Sequence, residues 1–219
     1  MNADQVATLR ALLAPTGWLD RTAGFAGALR RSLRTPSGLL VVGTADYEPW
    51  HMTAHLADES RLAGIPELWP TLVRWAPPAD AKPHLAVGLD RLRAASRRET
   101  LLVVSSQLAP AELLERVNDV RHLGATIFAL DRGDPELDDL ASESLAVPDQ
   151  DSPVSFDAAQ HLVSAAVGDS PLAPGEMRMT PGGPAPDTDG RRLQYERPQT
   201  GLRSRLARLL DAVSGTPSD

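Results

Sequence analysis

The chain has 219 residues, of which 42% are hydrophobic and 23% charged, and its formal net charge is -7. This composition is typical of a globular protein; the negative charge argues against general nucleic-acid binding, and the lack of cysteine excludes disulfides, thiolate nucleophiles and cysteine-ligated metals. No apolar run reaches the roughly 18 residues that span a bilayer, and the N-terminus lacks the pattern of a signal peptide, so we predict a cytoplasmic protein with neither nucleic acid nor membrane as a partner.

Residues 1–35 are predicted to form an N-terminal helical segment. Apolar residues recur on one face of a helix over 3–14, and the Pro15-Thr16-Gly17 sequence ends it. A second helix is predicted over about 18–34. Its last turn is basic, which complements the negative end of the helix dipole.

Five short apolar strands alternate with helices between residues 36 and 167. The predicted strands cover 39–42, 71–75, 101–104, 126–130 and 145–147, and the helices cover about 49–62, 84–97, 110–123, 135–142 and 155–167. This alternation predicts an α/β fold, a flavodoxin-type doubly wound parallel sheet with helices on both faces. In the strand order 2-1-3-4-5, the loops at 43–50 and 105–112 would meet in a ligand crevice.

The chain changes character at residue 168. Residues 168–200 hold six prolines and five glycines and few apolar side chains, which predicts a flexible linker within a disordered C-terminal tail. An apolar stripe with surrounding arginines then predicts a basic amphipathic helix over 201–214. This tail helix could dock on the protein's own core, bind a protein partner or lie on an anionic membrane.

The segment around the third strand carries a family resemblance. Val103 and Val104 run into the polar turn and helix start at 105–112, followed by the segment 123–130 and an apolar stretch ending in Pro148. This succession resembles the SIS (sugar isomerase) domain family, in which one strand runs into a Gly-x-Gly-x-Ser loop and a later one into Ser-x-Ser-Gly-x-Thr. The resemblance implies a SIS-like domain over 36–167, a homodimer formed through helices and a small carbohydrate-derived ligand in the crevice.

The resemblance also implies which residues hold that ligand, through hydroxyl groups and backbone amides. They are Gly43, Thr44, Ser105, Ser106 and Gln107. The loops depart from the family pattern at Leu108, which replaces a glycine, and at Pro110, which replaces a threonine. In the first loop, Asp46 and Glu48 place negative charge where a phosphate would bind.

These departures favour a non-catalytic binding, regulatory or scaffold module. One alternative is an aldose–ketose sugar-phosphate isomerase with divergent loops, whose base next to the substrate carbonyl would be Glu48, His51 or Glu112. A second alternative is a structural assembly protein whose crevice is filled by Trp50 or Leu108. Both glutamates also have a structural interpretation, because carboxylates at a helix start offset the dipole.

Two histidines and a glutamate are candidate ligands of a metal ion. His51 and His55 are four residues apart and share a helix face with Glu59, a spacing that suits two imidazole ligands and a carboxylate. The alternative is a polar surface or a dimer contact. His161, on the last predicted helix, is assigned to core or interface packing, and we predict no cofactor.

Overall fold

A computed structural model describes residue 13, residues 16–148, residue 152 and residues 154–169. The six helices of the described residues are α1 (Trp18–Ser32), α2 (Trp50–Ala63), α3 (Asp90–Arg93), α4 (Ala111–His122), α5 (Pro135–Leu140) and α6 (Phe156–Asp169). The strands are β1 (Leu39–Val42), β2 (Pro70–Val73), β3 (Thr100–Val104), β4 (Thr126–Asp131) and β5 (Glu143–Ala146). Two 3-10 turns lie at Pro66–Leu68 and Pro83–Leu85.

The strands form a single parallel sheet in the order β2-β1-β3-β4-β5. The predicted fold class and strand order are therefore confirmed. Val42 at the end of β1 lies beside Val103 in β3, so the loops that follow these two strands leave the sheet at the same edge. The order of strands reverses at this point, which is where open α/β sheets bind their ligands.

Helices cover both faces of the sheet. Alternate residues of β3 point in opposite directions: Leu102 and Val104 pack in a core with α1, α2 and α6, whereas Leu101 and Val103 pack with α3, α4 and α5. Because neither face meets water, β1 and β3 are buried throughout, and all of their residues except Thr100 are apolar.

The predicted helix over 84–97 is wrong. The backbone N–H of Arg74 donates to the carbonyl of Val87 at 2.9 Å, and Gly88 forms a parallel bridge with Arg74. This pairing extends the chain beside the end of β2, so helical structure is limited to the 3-10 turn before it and to the single turn of α3 after it.

The predicted N-terminal helix over 3–14, apart from residue 13, lies outside the described residues, as does the tail helix over 201–214. The linker predicted over 168–200 also lies outside them, except that α6 continues to Asp169. Among the helices of the described residues, none has the length and apolar character needed to cross a membrane.

Candidate functional site

The loop after β1 folds tightly over Gly43. The Trp75 indole N–H donates to the Gly43 carbonyl at 2.8 Å, and the Tyr47 N–H donates to the Thr44 carbonyl at 3.2 Å. A Cβ atom on Gly43 would lie 2.0 Å from the Tyr47 carbonyl oxygen, so the loop itself occupies the space beside this glycine. The Thr44 hydroxyl is buried and has no hydrogen-bond partner within the described part of the chain.

Glu48 is held by two neighbouring side chains. The Arg74 Nε donates to both carboxylate oxygens, at 3.1 and 2.9 Å, and the Trp50 indole N–H donates to Oε2 at 2.7 Å. The Arg74 guanidinium also lies 4.8 Å from the centre of the Trp50 ring. Glu48 is therefore an anchored carboxylate, with both of its oxygens bound by neighbouring side chains.

The first serine of the loop after β3 forms its hydrogen bonds within the loop. The buried Ser105 hydroxyl donates to the Gln107 carbonyl, and the Gln107 N–H lies 3.4 Å from the same hydroxyl. The Ala109 N–H donates to a carboxylate oxygen of Asp134 at 2.7 Å. Ser106 is half-buried and the Gln107 side chain is exposed, so these two side chains, rather than Ser105, lie at the surface of the loop.

The surroundings of Glu112 do not favour a role in proton transfer. It forms an ion pair with Arg116, one turn along α4, with 3.2 Å between carboxylate oxygen and guanidinium nitrogen. The carboxylate is well exposed, so the pair is a surface contact of one helix. This position agrees with the structural interpretation, in which a carboxylate at a helix start offsets the helix dipole.

One alternative had Trp50 or Leu108 filling the crevice. Leu108 is 70% exposed and Trp50 is 41% exposed, so neither side chain is fully buried. Trp50 packs against Arg74 beside the loop after β1.

Three histidines meet beside this crevice. His51 and His55 lie one turn apart on α2, and His161 reaches them from α6. The ring centres are 4.2–4.6 Å apart, and the Nε2 atoms of His51 and His161 are 2.7 Å apart. One potential ligand nitrogen from each ring lies within 4.8 Å of the other two.

Burial favours the neutral form of His161 and His55. His161 is only 5% exposed, and burial, followed by the neighbouring His55 and His51, lowers its pKa to about 4. Burial also lowers the pKa of His55, with a further contribution from His51. Neutral imidazole is the form that binds a metal ion.

The cluster differs from the metal set that the sequence indicated. His51 and His55 share a helix face as predicted, but their third neighbour in the group is His161, and Glu59 is not part of it. His161 is buried as predicted, yet its ring packs against two other imidazoles. No spacing in the sequence signals this contact, because it joins residues 110 positions apart.

A second contact ties α6 to the first loop. The Gln160 side-chain amide donates to the Tyr47 hydroxyl at 2.9 Å, and the Tyr47 ring packs edge-on against Phe156. Burial raises the pKa of Tyr47, so this phenol stays protonated. The contact fixes α6 against the loop after β1 and so places His161 next to the start of α2.

The sheet order and the two loops define an open, doubly wound α/β domain whose strand order reverses between β1 and β3. No protein-family model matches the chain. No curated protein matches it either.

The chain is similar to several solved structures, at low sequence identity. They include a candidate phosphosugar isomerase from Silicibacter pomeroyi, with 19% identity, a TM-score of 0.46 and coverage of 76% of this chain and 49% of that one. The sugar isomerase domain of an RpiR transcription factor from Sphaerobacter thermophilus has 15% identity and a TM-score of 0.46, with 73% and 88% covered. The Vibrio vulnificus NanR protein, solved with ManNAc-6P, has 15% identity and a TM-score of 0.43, with 74% and 60% covered.

This chain thus spans about half the length of the Silicibacter protein.

Proposed function

We propose that the chain is a non-catalytic binding or regulatory module of SIS-like fold, with a small carbohydrate-derived ligand in the crevice between the loops after β1 and β3. The observation that carries this proposal is the state of the two carboxylates there. Glu48 is bound by Arg74 and Trp50, and Glu112 is paired with Arg116 on the surface of α4. Neither is placed as the general base that sugar isomerisation requires.

Polar groups at the crevice support binding without catalysis. The Thr44 hydroxyl is buried without a partner in the described residues, and a buried hydroxyl in that state gains from a ligand hydrogen bond. Ser106 and Gln107 add polar side chains from the facing loop. The close packing over Gly43 disfavours a phosphate next to that glycine, which directs the proposal toward a carbohydrate held by side chains.

A thermal-shift screen against sugar phosphates, nucleotides and unphosphorylated sugars tests this proposal. A ligand at 100 times its dissociation constant adds about 2.7 kcal/mol to the free energy of unfolding, which raises the melting temperature by several degrees. We expect Thr44→Val to reduce that shift without lowering the stability of the free protein, because the lost hydroxyl has no partner there. The matched control is Thr100→Val: its hydroxyl bonds to Ser32, so stability falls while the ligand-induced shift remains.

The same screen decides between the proposal and its alternatives. Turnover of a sugar phosphate that is lost in Glu48→Gln or Glu112→Gln would contradict a non-catalytic module and favour an aldose–ketose isomerase. No shift with any compound would contradict ligand binding and favour a structural assembly protein. A cytoplasmic homodimer, and a protein partner for the tail helix over 201–214, belong to the same proposal; light scattering that shows a monomer would remove the dimer.

A further inference from the structure

The cluster of His51, His55 and His161 has features that polar packing alone does not require. Three of the five histidines of the chain come together from two helices. Three imidazoles in contact cannot all take the positively charged, doubly protonated form at low cost, since like charges at this distance repel each other. A neutral ring has one N–H to donate and one nitrogen that can accept a hydrogen bond or bind a metal ion.

The hydrogen bonds within the cluster are incomplete. The Nε2 atoms of His51 and His161 are 2.7 Å apart, so a single proton lies between them. The Nδ1 atom of His161 is buried and has no hydrogen-bond partner among the described residues. A buried polar atom without a partner is costly, and a bound ion would satisfy it.

The electrostatic surroundings favour a cation. Asp58 acts on His55 from the next turn of α2, and Asp157 acts on His161 from the preceding turn of α6. A carboxylate attracts a cation placed near it, although Asp58 also pairs with Arg61 at 3.0 Å. His51 is exposed, so an ion and a further ligand can reach the cluster from solvent.

We propose that His51, His55 and His161 bind a divalent transition-metal ion of the Zn²⁺ type, with one coordination position left open to solvent. Three imidazoles and an open position form a common zinc arrangement, in which nitrogens about 2.0–2.1 Å from the ion lie about 3.3 Å from each other. The nitrogens here lie within 4.8 Å of one another, and the Nε2 atoms of His51 and His161 are 2.7 Å apart, so small side-chain rotations that separate these two atoms and bring His55 closer give the required distances. On binding, the ring whose Nε2 carries the proton shifts to its Nδ1–H tautomer, so that both rings stay neutral and both Nε2 atoms can face the ion. The site does not depend on a carbohydrate ligand in the crevice.

The test uses full-length protein that carries no histidine tag and has been stripped with a chelator. Zn²⁺ binding is measured by calorimetry, and Co²⁺ is added as a probe whose visible absorption reports tetrahedral coordination. The decisive variant is His51→Gln/His55→Gln, and its matched control is His84→Gln/His122→Gln. Each double variant keeps three of the five histidines, and the control removes two exposed residues that are outside the cluster.

We expect the wild-type chain and the control to bind a single ion with the same affinity and to show the same Co²⁺ spectrum. The His51→Gln/His55→Gln variant should lose affinity by roughly 100-fold or more, since even residues that only support metal ligands contribute 10- to 100-fold. If that variant fails to fold, His51→Gln alone, at an exposed position, is judged by the same criterion.

Three results would overturn the proposal. They are no binding by the wild-type chain, unchanged affinity in the folded cluster variant, and an equal loss in the control. A purely structural role for the histidines predicts a lower melting temperature in the cluster variant and no effect of Zn²⁺ on the wild-type protein. Measuring Zn²⁺ binding by the wild-type chain therefore separates this role from metal binding.

Discussion

Gly43→Ala is expected to lower the free energy of unfolding by roughly 4–5 kcal/mol, at the upper end of single substitutions. The added Cβ would lie 2.0 Å from the Tyr47 carbonyl oxygen, 2.7 Å from Pro49 Cδ and 3.1 Å from the Val104 carbonyl oxygen. Two of these three neighbours are backbone atoms, which cannot rotate away as a flexible side chain does. The loop after β1 therefore has to open or shift. Chemical denaturation with matched m-values measures the change.

The matched control is Gly24→Ala. Gly24 lies on the exposed side of α1, and a Cβ there meets no atom within 4 Å. Because alanine is a better helix former than glycine, this variant should be more stable by about 0.5–1 kcal/mol. Wild-type stability in Gly43→Ala would mean that the loop does not close over Gly43, and the argument that this loop disfavours a phosphate would then fail.

Asp134→Ala is expected to cost roughly 3–4 kcal/mol, because its carboxylate serves three backbone N–H groups at once. One oxygen accepts from Glu136 and Leu137 in the first turn of α5, and the other accepts from Ala109 in the loop after β3. The residue is only 3% exposed, so water does not readily replace these bonds. The substitution removes a helix cap and releases one loop of the crevice together.

Asp139→Ala is the control for this variant, since it removes an exposed carboxylate from the same helix and should change stability by less than about 0.5 kcal/mol. Asp134→Asn should lie between wild type and alanine, because its amide oxygen can cap α5 while its NH₂ group cannot accept from Ala109. Equal stability of Asp134→Ala and Asp139→Ala would show that Asp134 does not connect the start of α5 to the loop after β3.

The sheet could be predicted because its signals are local. The apolar runs at 39–42 and 101–104 are long enough for strands and too short for helices, and their lack of alternation indicates burial on both faces. The helix over 84–97 failed for a related reason. Its composition permits a helix, but Val87 and Gly88 pair with the backbone of Arg74 at the end of β2, a contact that no local pattern contains.

The position of the crevice followed from the strand order, whereas the state of its residues did not. Glu48 and Arg74 are 26 positions apart and meet because β1 and β2 are neighbours in the sheet. From the sequence, Glu48 was a free negative charge in a ligand loop. In the structure it is a neutralised anchor for Trp50.

The sequence alone thus determined the order of strands and helices, the edge of the sheet where a ligand would bind, and the shared face of His51 and His55. These depend on hydrophobic periodicity and on chain connectivity, both of which can be read from neighbouring residues. The tertiary structure alone decided that Gly43 is covered, that Glu48 is paired and that His161 completes the histidine cluster. Each of these depends on how two elements distant in the chain pack together, because a side chain's partners are set by the relative position of those elements and not by the pattern within either one.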